Sequence, residues 1–404
     1  MVQEPRGRGR FGWVLPVAVA GVVVAAGAAA VAASGWLDLS ATTPDPPLFS
    51  TVVHAVFERS TKVQSAGVKV PGDLNDPSRI AIGAGHFANV CANCHGAPGF
   101  GQSPSALAMS PRPPWLPAQV RGMSDRHLFW VIKHGVKFTA MPGWPAQGRD
   151  DEIWSMVAFV RTLPRQTQAS FRQLTVGDAE AAALPAIAFG PPSPLRPYAS
   201  RNSSAPPQTS SFTTPVWGPA DFARDGNPLS TCARCHGVAG TGRPEGGFPN
   251  LTGQTAAQLR RALTQFADGT RRSAIMQSVA AQLSPAQIDG VARYYAGLTP
   301  AVARAAPTSP APAVDASSCN GCHGLVAGNA LVYPQLRGQD ARYLANQLRL
   351  FRDGARGDAA VPGNMARIAH NMPDPQIAAY ARHFAGLAPV DPNTVPNRLP
   401  EDER

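Results

Sequence analysis

All six cysteines of this 404-residue chain fall in three copies of one pattern. The copies are Cys91-Ala92-Asn93-Cys94-His95, Cys232-Ala233-Arg234-Cys235-His236 and Cys319-Asn320-Gly321-Cys322-His323, followed by Gly96, Gly237 and Gly324. A Cys-x-x-Cys-His segment is the attachment signature of haem c. Two thiols one helical turn apart reach the two vinyl groups of one porphyrin, and the adjacent histidine sits beneath the iron. A dithiol redox pair does not need that histidine, and a zinc site needs ligands paired across the chain. The pattern therefore predicts three covalently bound haem c groups. Cys91, Cys94, Cys232, Cys235, Cys319 and Cys322 would hold them, with His95, His236 and His323 as proximal iron ligands.

Each iron has a second axial position. In the first unit the segment Thr139-Ala140-Met141-Pro142 follows a glycine-containing loop, from which a flexible thioether can reach the metal. Met109 lies in a proline-rich run and Met123 beside a helix start, so Met141 is the expected ligand. The second and third units align with each other. Phe248-Pro249-Asn250-Leu251-Thr252-Gly253-Gln254 matches Tyr333-Pro334-Gln335-Leu336-Arg337-Gly338-Gln339, and Phe266-Ala267-Asp268-Gly269 matches Phe351-Arg352-Asp353-Gly354. After a four-residue insertion in the third unit, Met276 then matches Met365, and Met372 replaces Leu283. Met276 and Met365 are the expected ligands, with Met372 and His370 as competitors at the third iron. His–Met ligation would place a haem at higher potential and bis-His at lower. The remaining histidines, His54, His86, His127, His134 and His383, read as helix-surface or packed side chains.

Forty-one prolines, about twice the usual share, together with only 15% charged residues, suggest compact units joined by extended linkers. The N-terminal segment 1–13 carries Arg6, Arg8 and Arg10 ahead of Val14 to Ala33, which has no charge. Twenty helical residues span about 30 Å, enough for a bilayer core. Residues 14–33 are read as a transmembrane signal-anchor, with cleavage near Ala32 or Ala33 as the alternative. Basic residues before the span and Asp38 after it predict a single-pass protein of a bacterial inner membrane, its haem-bearing part in the periplasm. Residues 34–79 would be juxtamembrane, with a short amphipathic helix over Phe49 to Phe57. The first unit is expected at 80–164, a Pro/Ala/Ser linker at 165–220, the second unit at 221–300, a short linker at 301–314, the third unit at 315–389, and a tail at 390–404. The long linker would let the first unit move independently. Helical spacing recurs and strand-like alternation does not, so the expected fold is mostly α, three helical haem domains after an N-terminal transmembrane helix.

These marks resemble class I c-type cytochromes, one per unit. Residues 221–389 are similar to the tandem di-haem cytochromes of the c4 type, through Cys-x-x-Cys-His-Gly, the Phe/Tyr-Pro-x-Leu-x-Gly-Gln loop, the Phe-x-Asp-Gly turn and the methionine before the last helix. Residues 80–164 resemble a mono-haem domain with a Thr-x-Met-Pro ligand loop. The resemblance implies haems edge-exposed in apolar crevices, with a backbone carbonyl holding each proximal histidine. Pro249 and Pro334 fit that role. The first unit departs from the loop pattern, and neither Pro113 nor Pro114 is assigned.

Three one-electron centres, each closed by histidine and methionine, leave no open coordination position. The expected function is electron carriage, from a quinol-oxidising complex or a periplasmic dehydrogenase to a terminal oxidase or another cytochrome. Two alternatives stand beside it: a cytochrome subunit of a membrane-associated dehydrogenase, and a peroxidase with one open iron. The net charge of +10 is carried almost wholly by arginine and is spread along the chain. Without a basic stripe, nucleic acid is excluded as the expected partner.

Overall fold

The structure is a computed structural model that describes residues 12–36, 38, 40, 43, 47–99, 101–177, 227–305, 313–324, 333–356, 364–392 and 394. These residues are mostly helical, and among them the only extended pairing is an isolated bridge between Ala97 and Gly101. Helix α1, Val14–Ala33, has a mean hydropathy of 2.4 with none of its apolar window buried, and is long and apolar enough to cross a membrane. The amphipathic helix expected at 49–57 is longer, with α2 running Pro47–Gln64.

The first unit is built from α3 (Pro77–His86), a π turn over Phe87–Cys91, α4 (Ala92–His95), the short helices α5 (Pro104–Leu107) and α6 (Leu116–Gln119), α7 (Asp125–His134), α8 (Asp150–Val160) and α9 (Gln168–Thr175). Local chemistry starts these helices. The Asp76 carboxylate accepts the Ser78 N–H at 2.8 Å ahead of Pro77, and the Ser124 hydroxyl accepts the His127 N–H at 3.3 Å. Asp150, Asp151 and Glu152 in the first turn of α8 suit the positive end of its dipole. Helices α3 and α8 then cross so closely that a Cβ at Gly83 would strike the Ser155 carbonyl. Phe87, Phe159 and Phe171 fill the space beside the crossing, with ring centroids 5.1 to 6.3 Å apart.

Helix α9 departs from the expected linker, which was placed from residue 165. Its Thr167 and Ser170 form a capping box and Phe171 is fully buried in the first unit's core. A lone aromatic with a cap is too little periodicity to mark a helix in advance; packing supplied the rest. Residues 178–220 of that linker lie outside the described residues. Truncating Phe171 to alanine is expected to destabilise the first unit by about 3–5 kcal/mol. Thermal unfolding followed at the first unit checks this, and a loss below about 1 kcal/mol would mean that α9 is not part of that core.

The second unit contains α10 (Pro228–His236), α11 (Ala256–Ala267), α12 (Ala274–Ala280) and α13 (Pro285–Ala296). The third contains α14 (Ser317–His323), α15 (Ala341–Arg352), α16 (Asn364–Ala369) and α17 (Asp374–Gly386). Ser284 and Gln287 cap α13 reciprocally at 2.8 and 3.2 Å. Asp374 does not cap α17 in the same way: it lies inside the first turn and pairs with Arg352 at 2.9 Å. Leu229, Val291 and Tyr295 form one core, and Leu344, Ala345, Ile377, Ala381 and Phe384 with Ala316 form the other.

The two repeated Pro-x-Leu-x-Gly-Gln loops face one another. The Gln254 amide donates to the Gln335 carbonyl at 2.9 Å and accepts its N–H at 3.1 Å. At the equivalent place, the Gln339 amide donates to the Asn250 carbonyl at 2.8 Å and accepts its N–H at 2.6 Å. The repeat thus pairs with itself across a pseudo-twofold contact of four buried bonds. The first unit is not free of this pair. The Arg243 guanidinium donates to the Leu174 carbonyl at 2.9 Å, and Arg342 pairs with Asp76 at 2.6 Å. Linker length limits only how far apart units can stray; complementary surfaces bring them together.

Candidate functional site

Each Cys-x-x-Cys-His segment occupies the C-terminal end of a helix: α4 with the π turn before it, α10 and α14. In that conformation the two thiols of a segment lie on one face and the histidine ends the helix. The chain then turns sharply, and at Gly96, with φ +71°, a side chain would strike the Gly101 carbonyl and the Trp115 ring. The turn carries the following loop back beneath the histidine.

That loop ends on a proline carbonyl in all three units. His95 Nδ1 lies 3.0 Å from the Pro114 carbonyl, His236 Nδ1 3.1 Å from that of Pro249, and His323 Nδ1 2.8 Å from that of Pro334. A carbonyl only accepts, so Nδ1 carries the proton and Nε2 presents its lone pair. Burial lowers the pKa of all three imidazoles, partly opposed by these bonds, and keeps them neutral. His323 Nε2 is buried with no hydrogen-bond partner. An oriented, neutral imidazole with a bare buried nitrogen is what an iron centre requires of its ligand.

Pro114 was unassigned from the sequence, because Pro111, Pro113 and Pro114 crowd the same loop. A signal was present all the same: Pro114-Trp115-Leu116 shares its Pro-x-Leu spacing with Pro249-Asn250-Leu251 and Pro334-Gln335-Leu336. The intervals from histidine to proline, 19, 13 and 11 residues, concealed it.

The six cysteines are half-buried and none of them forms a disulfide. Burial, with the neighbouring cysteine adding to it, pushes Cys91 and Cys232 up to about 12. Cys232, Cys235, Cys319 and Cys322 line a cavity of about 960 Å³ shared by the second and third units and bordered by first-unit residues such as Gly85, Arg149 and Glu152. His236 and His323 line it too, and so do Met276, Met365 and Met372. His370 does not line it and is exposed. Met276 sits in the first turn of α12, where its N–H is held by Ser273 Oγ at 3.1 Å. Met365 lies in α16, just after residues 357–363, which hold the four-residue insertion and lie outside the described residues. Met372 packs partly buried against the third core. A cofactor-sized cavity lined by paired thiols, an oriented imidazole and a thioether fits a covalently held haem in each of these two units.

In the first unit Met141 is half-buried in the loop between α7 and α8. Its N–H is held by Thr139 Oγ1 at 3.1 Å and its carbonyl by the Val136 N–H at 3.1 Å. Met123 packs against the first core. His134 is exposed, its ring tilted against that of Trp130 with centroids 4.8 Å apart.

Two families match the chain: cytochrome c oxidase, cbb3-type, subunit III, over residues 78–160, and cytochrome c, over residues 223–299. A thiosulfate dehydrogenase electron acceptor of Thiomonas intermedia is 34% identical over 188 residues, which cover 43% of this chain and 86% of that protein. Cytochrome c4 of Pseudomonas aeruginosa is 30% identical over 182 residues, covering 41% and 89%. Among solved structures, a thiosulfate dehydrogenase from Marichromatium purpuratum is similar at 30% identity with a TM-score of 0.35, covering 39% of this chain and 36% of that one.

Proposed function

This chain belongs to the c-type cytochromes that carry electrons on covalently bound haem c, and from that premise we propose a membrane-tethered carrier with three such groups. The observation that carries the count is the threefold repetition of one geometry: a thiol pair, then a histidine whose Nδ1 meets a proline carbonyl within 3.1 Å. Cys91 and Cys94, Cys232 and Cys235, and Cys319 and Cys322 would make the thioether bonds. His95, His236 and His323 would bind iron through Nε2, with Met141, Met276 and Met365 as the second protein ligands. Each bound haem supplies a reversible one-electron couple.

The chain's own residues set the conditions for that couple. The carbonyls of Pro114, Pro249 and Pro334 fix the proton on Nδ1 and hold the rings in one orientation. Apolar side chains such as Leu251, Leu263 and Val291 line the shared cavity and exclude water. A methionine ligand in addition to histidine would close each iron to small molecules and would favour the higher range of potentials. Helix α1 would tether the chain to the inner membrane with the haem units in the periplasm, beside quinol-oxidising and terminal-oxidase complexes.

A second reading, acceptor subunit of a dehydrogenase, is favoured by the 34% identity to a thiosulfate dehydrogenase electron acceptor. Potentiometric titration of the detergent-solubilised full chain, with optical and EPR detection, tests the main proposal. Three one-electron, low-spin steps are expected. Fewer steps, or high-spin iron that takes up cyanide, would overturn it. Rapid reduction by thiosulfate with a purified thiosulfate dehydrogenase, and none by quinol-oxidising membranes, would select the second reading.

A further inference from the structure

A buried polar cluster lies where the first unit meets the second, and its centre is Glu152 on α8, whose side chain is 3% exposed. Four donors converge on its two carboxylate oxygens. They are Arg149 Nη2 at 2.9 Å, Ser273 Oγ at 2.6 Å, the Ala274 N–H at 2.9 Å and Trp144 Nε1 at 3.3 Å. A carboxyl group met by this many donors is held as a carboxylate, since an added proton would face one of them. Burial, with Asp151 adding to it, raises the Glu152 pKa above the usual carboxylate value, and the Arg149 guanidinium and the Ser273 and Ala274 donors limit that rise. Arg149 is itself gripped by Asp151 at 2.9 Å through both Nε and Nη2, and it donates to the Arg272 carbonyl of the second unit.

The donors come from both sides of the contact. Trp144 belongs to the loop that carries Met141, and its backbone N–H donates to the Lys133 carbonyl at 2.9 Å. Ser273 and Ala274 open α12, and the same Ser273 oxygen that binds Glu152 accepts the Met276 N–H. One carboxylate therefore joins the two methionine segments. Nearby, α3 passes against the second attachment site, where a Cβ at Gly85 would lie 3.2 Å from Cys235 Sγ. None of the four donors belongs to the third unit, which reaches the cluster only one step further out, where the Asn346 amide donates to Asp151 at 2.9 Å.

We propose that Glu152 is a positioning residue shared by the first and second haem centres, locking their methionine segments into one body so that the two exchange electrons directly. Its negative charge acts on both potentials together. The inference rests on Met141 and Met276 as ligands.

The test is redox titration of the full-length haem-loaded protein, resolved haem by haem, with Glu152→Gln and Glu152→Ala beside the unsubstituted chain. Loss of a negative charge disfavours the oxidised iron, which carries one more positive charge than the reduced. Both substitutions should raise the first and second potentials together. The expected size is about tenfold in each reduced-to-oxidised ratio at fixed poise, or about 59 mV. The third potential should shift by less than either of these, since the third unit meets the cluster only through Asn346 on Asp151. Three retained haems report an intact fold, and Glu152→Gln guards against misfolding because it keeps size and shape. Glu152→Ala should in addition slow electron exchange between the first and second centres. A shift in one of the two alone, an equal shift in all three, or no shift overturns the linkage. Fewer than three haems in the unsubstituted chain would refute the ligand assignment instead.

Discussion

Replacing Cys232 and Cys235 together by alanine is expected to drop the haem content from three per chain to two and to unfold the second unit. The large apolar side chains that the second unit buries among the described residues are few: Leu229, Phe248, Ile288, Val291 and Tyr295. The remaining apolar surface, including Leu251, Leu259 and Leu263, faces the shared cavity and becomes core only around a porphyrin. The effect should spread, because the second unit bonds the first through Glu152 and Arg243, and the third through Asn250 and Gln254. Electron passage from the first centre to the third should fall by far more than the one-third loss of haem. Pyridine haemochrome absorbance and intact mass count the haems, and flash reduction measures the passage. A double variant that keeps three haems would end the proposed attachment at these cysteines.

Replacing Met365 by leucine is expected to convert one haem of the three to a high-spin form that binds cyanide. Met372→Leu should leave every haem low-spin. Both methionines line the cavity, so position alone does not separate them. Packing does. Met372 is wedged against the third core, its carbonyl is held by Arg352 Nη1 at 3.2 Å, and its N–H is held by the Ala369 carbonyl at 2.9 Å. Leucine there is a near volume-conserving change costing less than about 1.5 kcal/mol. Met365 has the register of Met276, so leucine would remove a ligand instead of a packing group. EPR and the far-red methionine–iron absorption band read the outcome directly. Reversed results in the two variants would transfer the ligand role to Met372.

Much of the helical framework could be read from the chain. Ser124, Ser284-Pro285 and the apolar stripe Ile288, Val291 and Tyr295 mark helices whose caps and burial the structure displays. The stripe Ile377, Tyr380, Ala381 and Phe384 behaves likewise except at Tyr380, which is only half-buried. These features were legible because a cap and a buried stripe are local, set by spacings of three and four residues. Helix α9 was not, since Phe171 is buried by partners more than ten residues away. Nor was the choice of Pro114 over Pro113, which depends on which carbonyl a loop of variable length brings under His95.

What the amino-acid order determined by itself is chemical identity: three thiol pairs, each with a histidine, a repeated loop and a helical periodicity, all written at short range. Only the tertiary structure decided which groups from distant segments meet. It set the Gln254 and Gln339 amides against each other's loops, and it brought Trp144, Glu152 and Ser273 together across 129 positions of chain between the first and last. The physical reason is that a buried hydrogen bond depends on separation in space and on exclusion of water. Neither is encoded in the spacing of residues along the chain.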